Sequence, residues 1–405
     1  GGDLALALGL HHALFSRGLA NREFLAAHAT GVDDFAALAR QWPLRRAAEE
    51  AGVPVEQLEQ LLELYCAASP AVIRAGWGLE RNRNGGSAVA AILALPAVAG
   101  KFGARGGGFT LSNGDARWGV SPEAAIAEPA TKTRSINMAA IASALRDLSA
   151  PKIEALFVYN CNPMSTVPNQ AELERQLLRD DLFVVVHEQV MTDTAKLADV
   201  ILPATVFLEH RELRRGYGTM RMYDSPAAVA PFAEARSNNQ LFAALIERMG
   251  LAKPDDTVTD QALVESIMGS HPDGERLSRE LREQGVATPS SGTNPVPFVD
   301  VWPGHPDRKV HLMPDDLVAA AVGGLYQPKP DPATDAYPLA VISPALSTQI
   351  TSTFGQLRNA PAEIEIHPAD AASRRITDGQ PVRMWNQLGE VIAVAKVTAH
   401  MRPGV

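Results

Sequence analysis

The chain has 405 residues, of which 46% are hydrophobic and 20% charged, and its formal net charge at pH 7 is −9. This length predicts two or three domains, and the composition is typical of a globular protein. The negative charge and the lack of Lys- or Arg-rich runs argue against nucleic-acid binding. Apolar segments such as "SAVAAILALPAVAG" are short and interrupted, so no membrane insertion is predicted.

Helical patterns dominate the first part of the chain. Residues 3–67 carry helical periodicity, and Asn21 is placed to cap one of the helices. A short strand is predicted from Ala71 to Arg74, followed by Gly76 and Gly78, which allow a tight turn or a close backbone approach. A further helix is predicted over "SAVAAILALPAVAG".

The middle of the chain alternates between strand and helix patterns. The predicted strands are "ALFVY", "LFVVVHE" and "DVILPAT". The predicted helices are "INMAAIASALRDL", "NQAELERQLLRDD" and the short "TDTAKLAD", which Thr192 is placed to cap. Apolar strands separated by amphipathic helices indicate a parallel sheet covered by helices.

The last part of the chain changes character twice. Residues 253–335 are rich in Pro, Asp, Gly and Ser and carry one helical pattern, "DQALVESIMG", so an extended crossover is predicted there. Beyond it, "PLAVIS", "AEIEIHP", "QPVRMWNQ" and "EVIAVAKV" read as strands, with a hairpin turn at "QLGE". A separate β-rich domain is therefore expected to begin near residue 336.

Three loops follow predicted strands, at residues 76–85, 160–165 and 188–194. Ligands of an open parallel sheet bind beyond the carboxyl ends of its strands. Amides and hydroxyls in the second loop could reach a phosphate, and Glu188 and Asp193 could accept from a sugar hydroxyl or the N–H edge of guanine. The alternative is that Asn, Ser and Pro here only form turns, and loop chemistry alone leaves both interpretations open.

Two cysteines, Cys66 and Cys161, cannot build a four-cysteine zinc or iron–sulfur site. Cys66 falls within a helical apolar pattern, which favours a core position. Cys161 lies in "EALFVYNCNPMSTVPNQ" without another cysteine or a histidine pair beside it, which favours an unreactive thiol. His187 and His210 could act as proton shuttles, but a structural role is favoured for both.

The order of motifs resembles the molybdopterin oxidoreductases of the dimethyl-sulfoxide-reductase superfamily, which use a bis(molybdopterin guanine dinucleotide) molybdenum or tungsten centre. The matching tracts are "RAGWGLERNRNGG", "KFGARGGGF", "LFVYNCNPMSTVPN", "VVVHEQVMTDTAKLADVILPAT", "WPGHPDRKVHL" and "ISPALSTQITSTFGQL" with "AEIEIHPADAASRRITDGQPVRMWNQLGEVIAVAKV". The most specific is T-x-T-A-x-x-A-D-V-I-L-P, residues 192–203.

The resemblance implies an α/β fold of Rossmann-like parallel-sheet layers with flanking helices, followed by the start of a double-psi-like β-barrel. Residues 1–110 would be the C-terminal part of one α/β cofactor-binding domain, and 111–252 a second. Residues 253–335 would be the crossover, and 336–405 the start of the dinucleotide-binding barrel. The family's N-terminal domain, often with a [4Fe–4S] cluster, and its metal ligand would precede Gly1. We therefore expect a piece of a longer polypeptide that is inactive alone.

The resemblance also assigns cofactor contacts, without a catalytic residue or a metal ligand. The expected cofactor-binding residues are Arg74, Gly76, Gly78, Asn160, Asn162, Pro163, Ser165, Glu188, Thr192, Asp193, Thr194, Ser347, Gln349, Ser352, Thr353 and Asn386. Those from Asn160 to Thr194 would surround one guanosine diphosphate moiety, and those from Ser347 onward would face pterin or phosphate. Asp199 is expected to be structural.

Two departures from the family pattern leave the substrate open. The G-T-x-x-N-x-E-G-R tract of many relatives is replaced by "HRELRRGYGTMRMYDSP". The family's Asn-Asp-Arg-Gly turn is replaced by "NQLG", residues 386–389.

The function that follows from the resemblance is binding of molybdopterin guanine dinucleotide within an oxidoreductase that carries out two-electron chemistry on an unidentified small substrate. The alternative is a catalytically silent paralogue that serves as a structural subunit of a larger redox complex. A nicotinamide-dependent dehydrogenase lacks its G-x-G-x-x-G fingerprint here. The expected partners are the substrate and an electron-transfer subunit, and the expected location is the cytoplasm, with the periplasm left open.

Overall fold

The structure is a computed structural model that describes residues 1–111, 133–216, 218–254, 256–329, 333–347, 350–357 and 361–405. The α-helices are α1 (Asp3–Ser16), α2 (Arg22–His28), α3 (Val32–Ala39), α4 (Leu44–Ala51), α5 (Val55–Ala67), α6 (Gly85–Val98), α7 (Ile141–Asp147), α8 (Pro163–Thr166), α9 (Gln170–Leu177), α10 (Asn238–Arg248), α11 (Asp260–Gly269), α12 (Gly274–Gln284), α13 (Asp315–Ala320) and α14 (Pro368–Ser373). Short 3-10 helices lie at Trp77–Arg81, Met138–Ala140, Ala195–Leu197 and Gly355–Leu357.

The strands are shorter than the helices. They are β1 (Ala29–Thr30), β2 (Val72–Arg74), β3 (Gly108–Thr110), β4 (Ala155–Tyr159), β5 (Phe183–Glu188), β6 (Val200–Pro203), β7 (Glu212–Arg215), β8 (Met222–Ser225), β9 (Val286–Ala287), β10 (Val310–His311), β11 (Glu363–Ile366), β12 (Pro381–Asn386) and β13 (Gly389–Val397).

Two compact units divide the chain. The first takes in Gly1–Trp118, Arg215–Tyr223 and Val286–Asp331. The second takes in Gly119–Arg214, Asp224–Gly285 and Pro332–Val405.

Helix α1 is the centre of the first unit. Its sequence, "DLALALGLHHALFS", is apolar on all sides, which is the pattern of a fully buried helix. Leu4, Leu8 and Leu14 are completely buried, and α1 packs against α3, α4, α5 and α6. The N-cap predicted at Asn21 is confirmed, because its Oδ1 accepts from the backbone N–H of Phe24 at 2.9 Å.

The same core includes residues from much later in the chain. Leu312, Leu325 and Tyr326 are buried in it, and the Tyr326 hydroxyl donates to the carbonyl of Leu312 at 2.7 Å. Strand β10 also pairs in parallel with β1. The first core is therefore complete only when the third segment of this unit is in place.

A close approach between α1 and α4 depends on Gly9. A Cβ at Gly9 would lie 2.4 Å from the Cβ of Ala47, closer than two carbon atoms can pack. We expect Gly9→Ala to lower the free energy of unfolding of the first unit by about 1–3 kcal/mol, because the helices must move apart. Amide hydrogen exchange in α1 and α4 measures the change.

Gly86 provides the matched control. It lies in α6 of the same unit, and no atom lies within 4 Å of the position that its Cβ would take. Gly86→Ala should leave exchange in α1 unchanged or slightly slower. Equal stability of the two variants would show that the α1–α4 contact is not sterically tight.

The second unit contains the parallel sheet predicted from the middle of the chain. Strands β4, β5 and β6 lie side by side in that order, all parallel. Val184 and Val186 of the central strand are completely buried and pack with Leu173 and Leu177 of α9. The expectation of a mixed α/β fold with a parallel sheet is thereby confirmed. Asp199 has the structural role predicted for it, since its Oδ2 accepts from the Val184 N–H at 2.7 Å.

The C-terminal sheet has the order β11-β13-β12, with β11 parallel and β12 antiparallel to β13. Three of the four strands predicted in this part of the chain are present, and Asn386 pairs with Gly389 across the predicted hairpin. The strand predicted at residues 338–343 is wrong. Its β-branched Val341 and Ile342 have strand propensity, but both stay exposed. The segment makes one backbone hydrogen bond, from the Ala340 N–H to the Gly404 carbonyl.

Residues 253–329 hold more helix than predicted. Helix α11 corresponds to the predicted pattern "DQALVESIMG", but α12 was missed. Its sequence, "GERLSRELREQ", is mostly charged, and its buried residues are Gly274, Leu277 and Leu281, which lie on one face of the helix. Among the described helices, none combines the length and the apolar character that a membrane span requires.

Candidate functional site

Three loops begin at one edge of the parallel sheet. Tyr159 pairs with His187, and Glu188 pairs with Pro203, so β4, β5 and β6 end at nearly the same level. The loops that follow are therefore neighbours at the carboxyl edge. This is the edge where parallel sheets bind ligands.

A hydrogen-bond cluster around the buried Thr194 side chain joins the first two loops. The Thr194 hydroxyl donates to Asn162 Oδ1 at 2.7 Å, and the Thr194 N–H points to the same oxygen at 3.4 Å. The Thr194 Oγ1 also accepts from the backbone N–H of Met164 at 3.0 Å. Thr194 is fully buried, so both of its hydroxyl bonds are shielded from water. The loop after β4 is thus fixed to the loop after β5.

The Asn162 amide also organises its own loop. Its Nδ2 donates to Ser165 Oγ at 3.1 Å, and its backbone carbonyl accepts from the Thr166 hydroxyl at 2.9 Å. Pro163 is buried and begins the short helix α8, where its fixed φ suits a first helical position. Ser165 is exposed, so its hydroxyl faces solvent at the loop surface.

Two carboxylates lie at this position, that of Glu188 at the end of β5 and that of Asp193 in the loop after it. The Thr192 Oγ1 accepts from the Ala195 N–H at 3.2 Å, at the start of the 3-10 helix Ala195–Leu197, although the N-cap position of that helix is Thr194 and not the predicted Thr192. Asp193 is exposed and forms an ion pair of 2.8 Å with Lys196. Glu188 is half-buried, and its Oε1 accepts from the Gln189 N–H at 2.8 Å. One oxygen of each carboxylate is therefore engaged by these contacts.

Asn160 has an unusual backbone conformation. Its φ is 53°, in the left-handed region that Asn tolerates better than most residues. Its Oδ1 accepts from Asn238 Nδ2 at 3.2 Å. The side chain is exposed, and the backbone turns sharply directly after β4.

The two histidines near this edge have internal partners. His187 is buried, and its Nδ1 hydrogen-bonds to the Leu202 carbonyl at 3.2 Å. Burial lowers the pKa of its imidazole, although the carbonyl contact opposes this effect. His210 Nδ1 lies 2.8 Å from the Thr205 hydroxyl. These contacts support the structural interpretation of both histidines.

The first predicted loop lies in the other unit. Arg74 ends β2 and is exposed, and Gly76 and Gly78 are exposed directly after it. Neither glycine has a φ in the left-handed region, and a Cβ at either position would meet no protein atom within 4 Å. The fold itself therefore does not require glycine here, and the bare backbone leaves room for a closely approaching ligand.

Of the predicted residues near the end of the chain, Ser347, Ser352 and Thr353 lie in turns, and Asn386 is the last residue of β12. Ser347 and Thr353 are exposed, and Ser352 is half-buried. Asn386 Oδ1 accepts from the Leu388 N–H at 2.8 Å and so stabilises the hairpin turn. Gln349 lies outside the described residues.

The surroundings of Cys161 and of Arg211 do not indicate that either side chain is reactive. Cys161 is half-buried and packs against the second core. Arg211 forms a two-pronged ion pair with Asp224, and its Nε lies 2.8 Å from Oδ1. Across the part of the chain that the structure describes, no cluster of three His, Cys, Asp or Glu residues could hold a metal ion.

Sequence comparison assigns the family. Residues 1–248 match the family described as molybdopterin oxidoreductase. The chain belongs to the molybdopterin oxidoreductase family. Residues 344–405 match the molydopterin dinucleotide binding domain. The resemblance to the dimethyl-sulfoxide-reductase superfamily is thereby confirmed.

Individual relatives of this molybdopterin oxidoreductase chain are distant but cover all of it. It is 29% identical to the probable oxidoreductase YoaE of Bacillus subtilis, over 100% of the chain and 60% of that protein. It is 26% identical to the trimethylamine-N-oxide reductase of Haemophilus influenzae, over 99% of the chain and 57% of that protein. The chain thus spans less than two thirds of either relative. Both relatives are named as redox enzymes, so the comparisons lend no support to a silent structural subunit.

A solved structure shows the same fold. The acetylene hydratase of Pelobacter acetylenicus superposes with a TM-score of 0.76 and 19% identity. The superposition covers 100% of the present chain and 62% of the hydratase chain. This likeness supports the molybdopterin oxidoreductase fold and does not bear on the substrate.

The sequence interpretation missed Asn238. The pattern Ser237-x-x-Gln240 is a capping box and marks the start of α10, which could have been recognised. The contact between Asn238 and Asn160, 78 positions earlier, cannot be predicted from any pattern in the sequence.

Proposed function

We propose that the loops at the carboxyl edge of the parallel sheet bind the guanosine diphosphate part of a bis(molybdopterin guanine dinucleotide) cofactor. The observation that carries this proposal is the part-buried Asn162–Thr194 cluster, which fixes two adjacent strand-end loops in a chain of the molybdopterin oxidoreductase family. A rigid edge of amides, hydroxyls and carboxylates suits a nucleotide, because its ribose and guanine offer donors and acceptors in fixed directions.

The chemistry of each loop supports a division of roles. The backbone turn at Asn160 and the exposed Ser165 suit the diphosphate, since Asn160 directly follows β4 and Ser165 lies in the short helix α8 that comes next. Asp193 and Glu188 suit guanine or ribose, because each has an oxygen left to accept from N–H or O–H donors. Thr192 and Thr194 shape the loop through internal bonds.

Two further sets of residues are proposed as cofactor contacts from the family pattern. Arg74 would pair with a phosphate or pterin oxygen, and Gly76 and Gly78 would let the cofactor lie against the backbone. Residues 336–405 would form the start of the dinucleotide-binding barrel, with Ser347, Gln349, Ser352, Thr353 and Asn386 facing pterin or phosphate. The assignment of these residues extends the family pattern to this chain.

The bound cofactor would supply two-electron redox chemistry at its molybdenum or tungsten atom. The residues of this chain would bind it, orient it and exclude water, and none of them is proposed to react. The intact protein would act on a small molecule, exchange electrons with a partner subunit and, following its relatives, work as an oxidoreductase. Its substrate stays unassigned, because residues 210–226 depart from the common family tract.

Cofactor content tests the proposal. The intact protein that contains this chain should be expressed in a host that makes molybdopterin guanine dinucleotide. Molybdenum and tungsten are then measured by mass spectrometry, and GMP is released by acid hydrolysis and quantified. Both metal and GMP are expected in fixed proportion to protein. Protein that is folded but free of metal and GMP would refute cofactor binding.

The proposal also ranks two neighbouring residues. Asn162→Ala should lower GMP content about five-fold, because a part-buried hydrogen bond of roughly 1 kcal/mol that fixes the loop is lost. Cys161→Ala, one residue earlier, should leave GMP content unchanged, since Cys161 only packs against the second core. The reverse ranking would mean that the thiol, and not the amide, belongs to the binding loop.

A further inference from the structure

The first residue of α10 reaches the loop that follows β4. Asn238 Nδ2 donates to Asn160 Oδ1 at 3.2 Å, across 78 positions of sequence. Asn160 is the residue at which the chain enters the left-handed region, with φ of 53°. One side-chain contact therefore acts on the residue that sets the direction of the loop.

Helix α10 is well placed to hold this contact still. Its start is fixed by a capping box, in which Ser237 Oγ accepts from the Gln240 N–H and Gln240 Oε1 accepts from the Ser237 N–H. The Ser237 hydroxyl also donates to Asp260 Oδ1 at 2.8 Å, at the first residue of α11. The position of Asn238 is thus determined by two helices.

The same helix rests directly on β4. The ring of Phe242 lies 5.5 Å from that of Phe157 and 5.0 Å from that of Tyr159, measured between centroids. Asn238 and Phe242 are one helical turn apart, so they share a face of α10. One face of the helix therefore contacts both the end of β4 and the first residue of the loop.

The left-handed conformation at Asn160 needs such support. An Asn residue is less costly there than most residues, but the conformation is still less favourable than the helical or extended regions. The amide of Asn238 holds Asn160 Oδ1 and so favours the turned backbone. Without this contact the residues that follow, including Asn162 and Ser165, would sample other orientations.

We propose that Asn238 is a positioning residue for the guanosine diphosphate loop. It acts through Asn160, whose turned backbone directs the loop toward the ligand, and it does not itself contact the cofactor. This inference rests on the proposed function of the loop. It adds a residue from outside the three strand-end loops to the determinants of cofactor binding.

The test is a double-mutant cycle on the intact protein, with GMP and molybdenum content as readouts. Asn238→Asp removes the donor but keeps a residue that suits the first turn of a helix, so α10 should persist. It should lower GMP content about two- to five-fold, the size of effect expected for one partly exposed hydrogen bond. Amide exchange at residues 160–166 should become faster.

The second background replaces Asn160 with glycine, which adopts the left-handed region without support. In that background, Asn238→Asp should cause no further loss of GMP, because glycine no longer needs the anchor. An equal loss in both backgrounds would overturn the inference, since Asn238 would then act by another route.

Asn162→Ala separates this inference from the proposed function. If Asn162→Ala lowers GMP content and Asn238→Asp does not, Asn238 is not a positioning residue, while cofactor binding by the loop still holds. If both variants keep full GMP content, the loop does not bind the nucleotide and both proposals fail.

Discussion

Replacing Thr194 with valine is expected to cause the largest loss of cofactor of any single change at this edge, at least ten-fold in GMP content. Valine has nearly the same shape as threonine but no hydroxyl. Asn162 Oδ1 then loses its short bond, and the Met164 N–H loses its acceptor. Each unsatisfied buried group costs about 1–3 kcal/mol, and 1.4 kcal/mol corresponds to ten-fold in affinity.

Thr194→Ser is the matched control. Serine keeps the hydroxyl and loses only a methyl group, so it should retain most of the GMP that valine loses. GMP and metal are measured on the intact protein after gel filtration, together with a circular dichroism spectrum to verify folding. Equal loss in the serine and valine variants would assign the effect to the methyl group and to packing. Full retention by valine would show that the cluster does not hold the binding loop.

Acid is expected to weaken the first unit through His11. This side chain is fully buried in the core, and its Nε2–H donates to the Ala91 carbonyl at 2.8 Å. Its Nδ1 is buried and has no partner among the described residues, so a proton there would place a charge without an acceptor. Burial lowers the pKa of His11 to about 4, although the bond to Ala91 opposes the shift.

The sign of the pH effect follows from where the proton binds. Between about pH 6.5 and pH 4 the unfolded chain binds a proton at His11, and the folded chain does not. The stability that the neutral ring contributes is therefore fully present above pH 6.5 and is lost as the pH falls toward 4. A pKa difference of about 2.5 units corresponds to roughly 3 kcal/mol.

Amide exchange in α1, corrected for the intrinsic pH dependence of exchange, measures this loss. His11→Gln should flatten the pH dependence, because glutamine can donate to the same carbonyl but does not titrate in this range. Leu14→Ala, at another fully buried position of α1, should lower stability at every pH and keep the slope. A slope that survives in His11→Gln would assign the acid sensitivity to another group.

The sequence predicted the elements whose signals are local. The apolar runs of β4, β5 and β6 and the cap at Asn21 each follow from residues within a few positions of one another. The strand wrongly predicted at residues 338–343 shows the limit of such signals. Strand propensity was present there, but a strand also needs a partner along its length, and the pattern of one segment does not supply it.

The sequence indicates where the candidate site lies, but it does not predict the side-chain contacts that hold the loops together. The resemblance assigns the loops and their polar residues to cofactor binding, and this assignment stays a prediction. The resemblance placed Thr194 near the ligand. In the structure the Thr194 side chain is buried, and it bonds to Asn162, which lies 32 positions earlier in the sequence. The contact between Asn160 and Asn238 joins residues that are 78 positions apart in the sequence, which is a larger separation still. Such contacts depend on how elements pack, so their residues look like any other polar residues in the sequence.

The first core is built from two distant parts of the chain, and this has a consequence for biosynthesis. Helices α1 and α6 leave the ribosome early, but Leu312, Leu325 and Tyr326 complete their core more than 200 residues after α6. At about 5–20 residues per second, this leaves the early helices waiting for on the order of 10–50 s. The second core, formed within residues 141–198, is synthesised entirely during that interval. The part of the protein that begins later in the chain can therefore close first, and nascent α1 and α6 are the segments that need protection from aggregation.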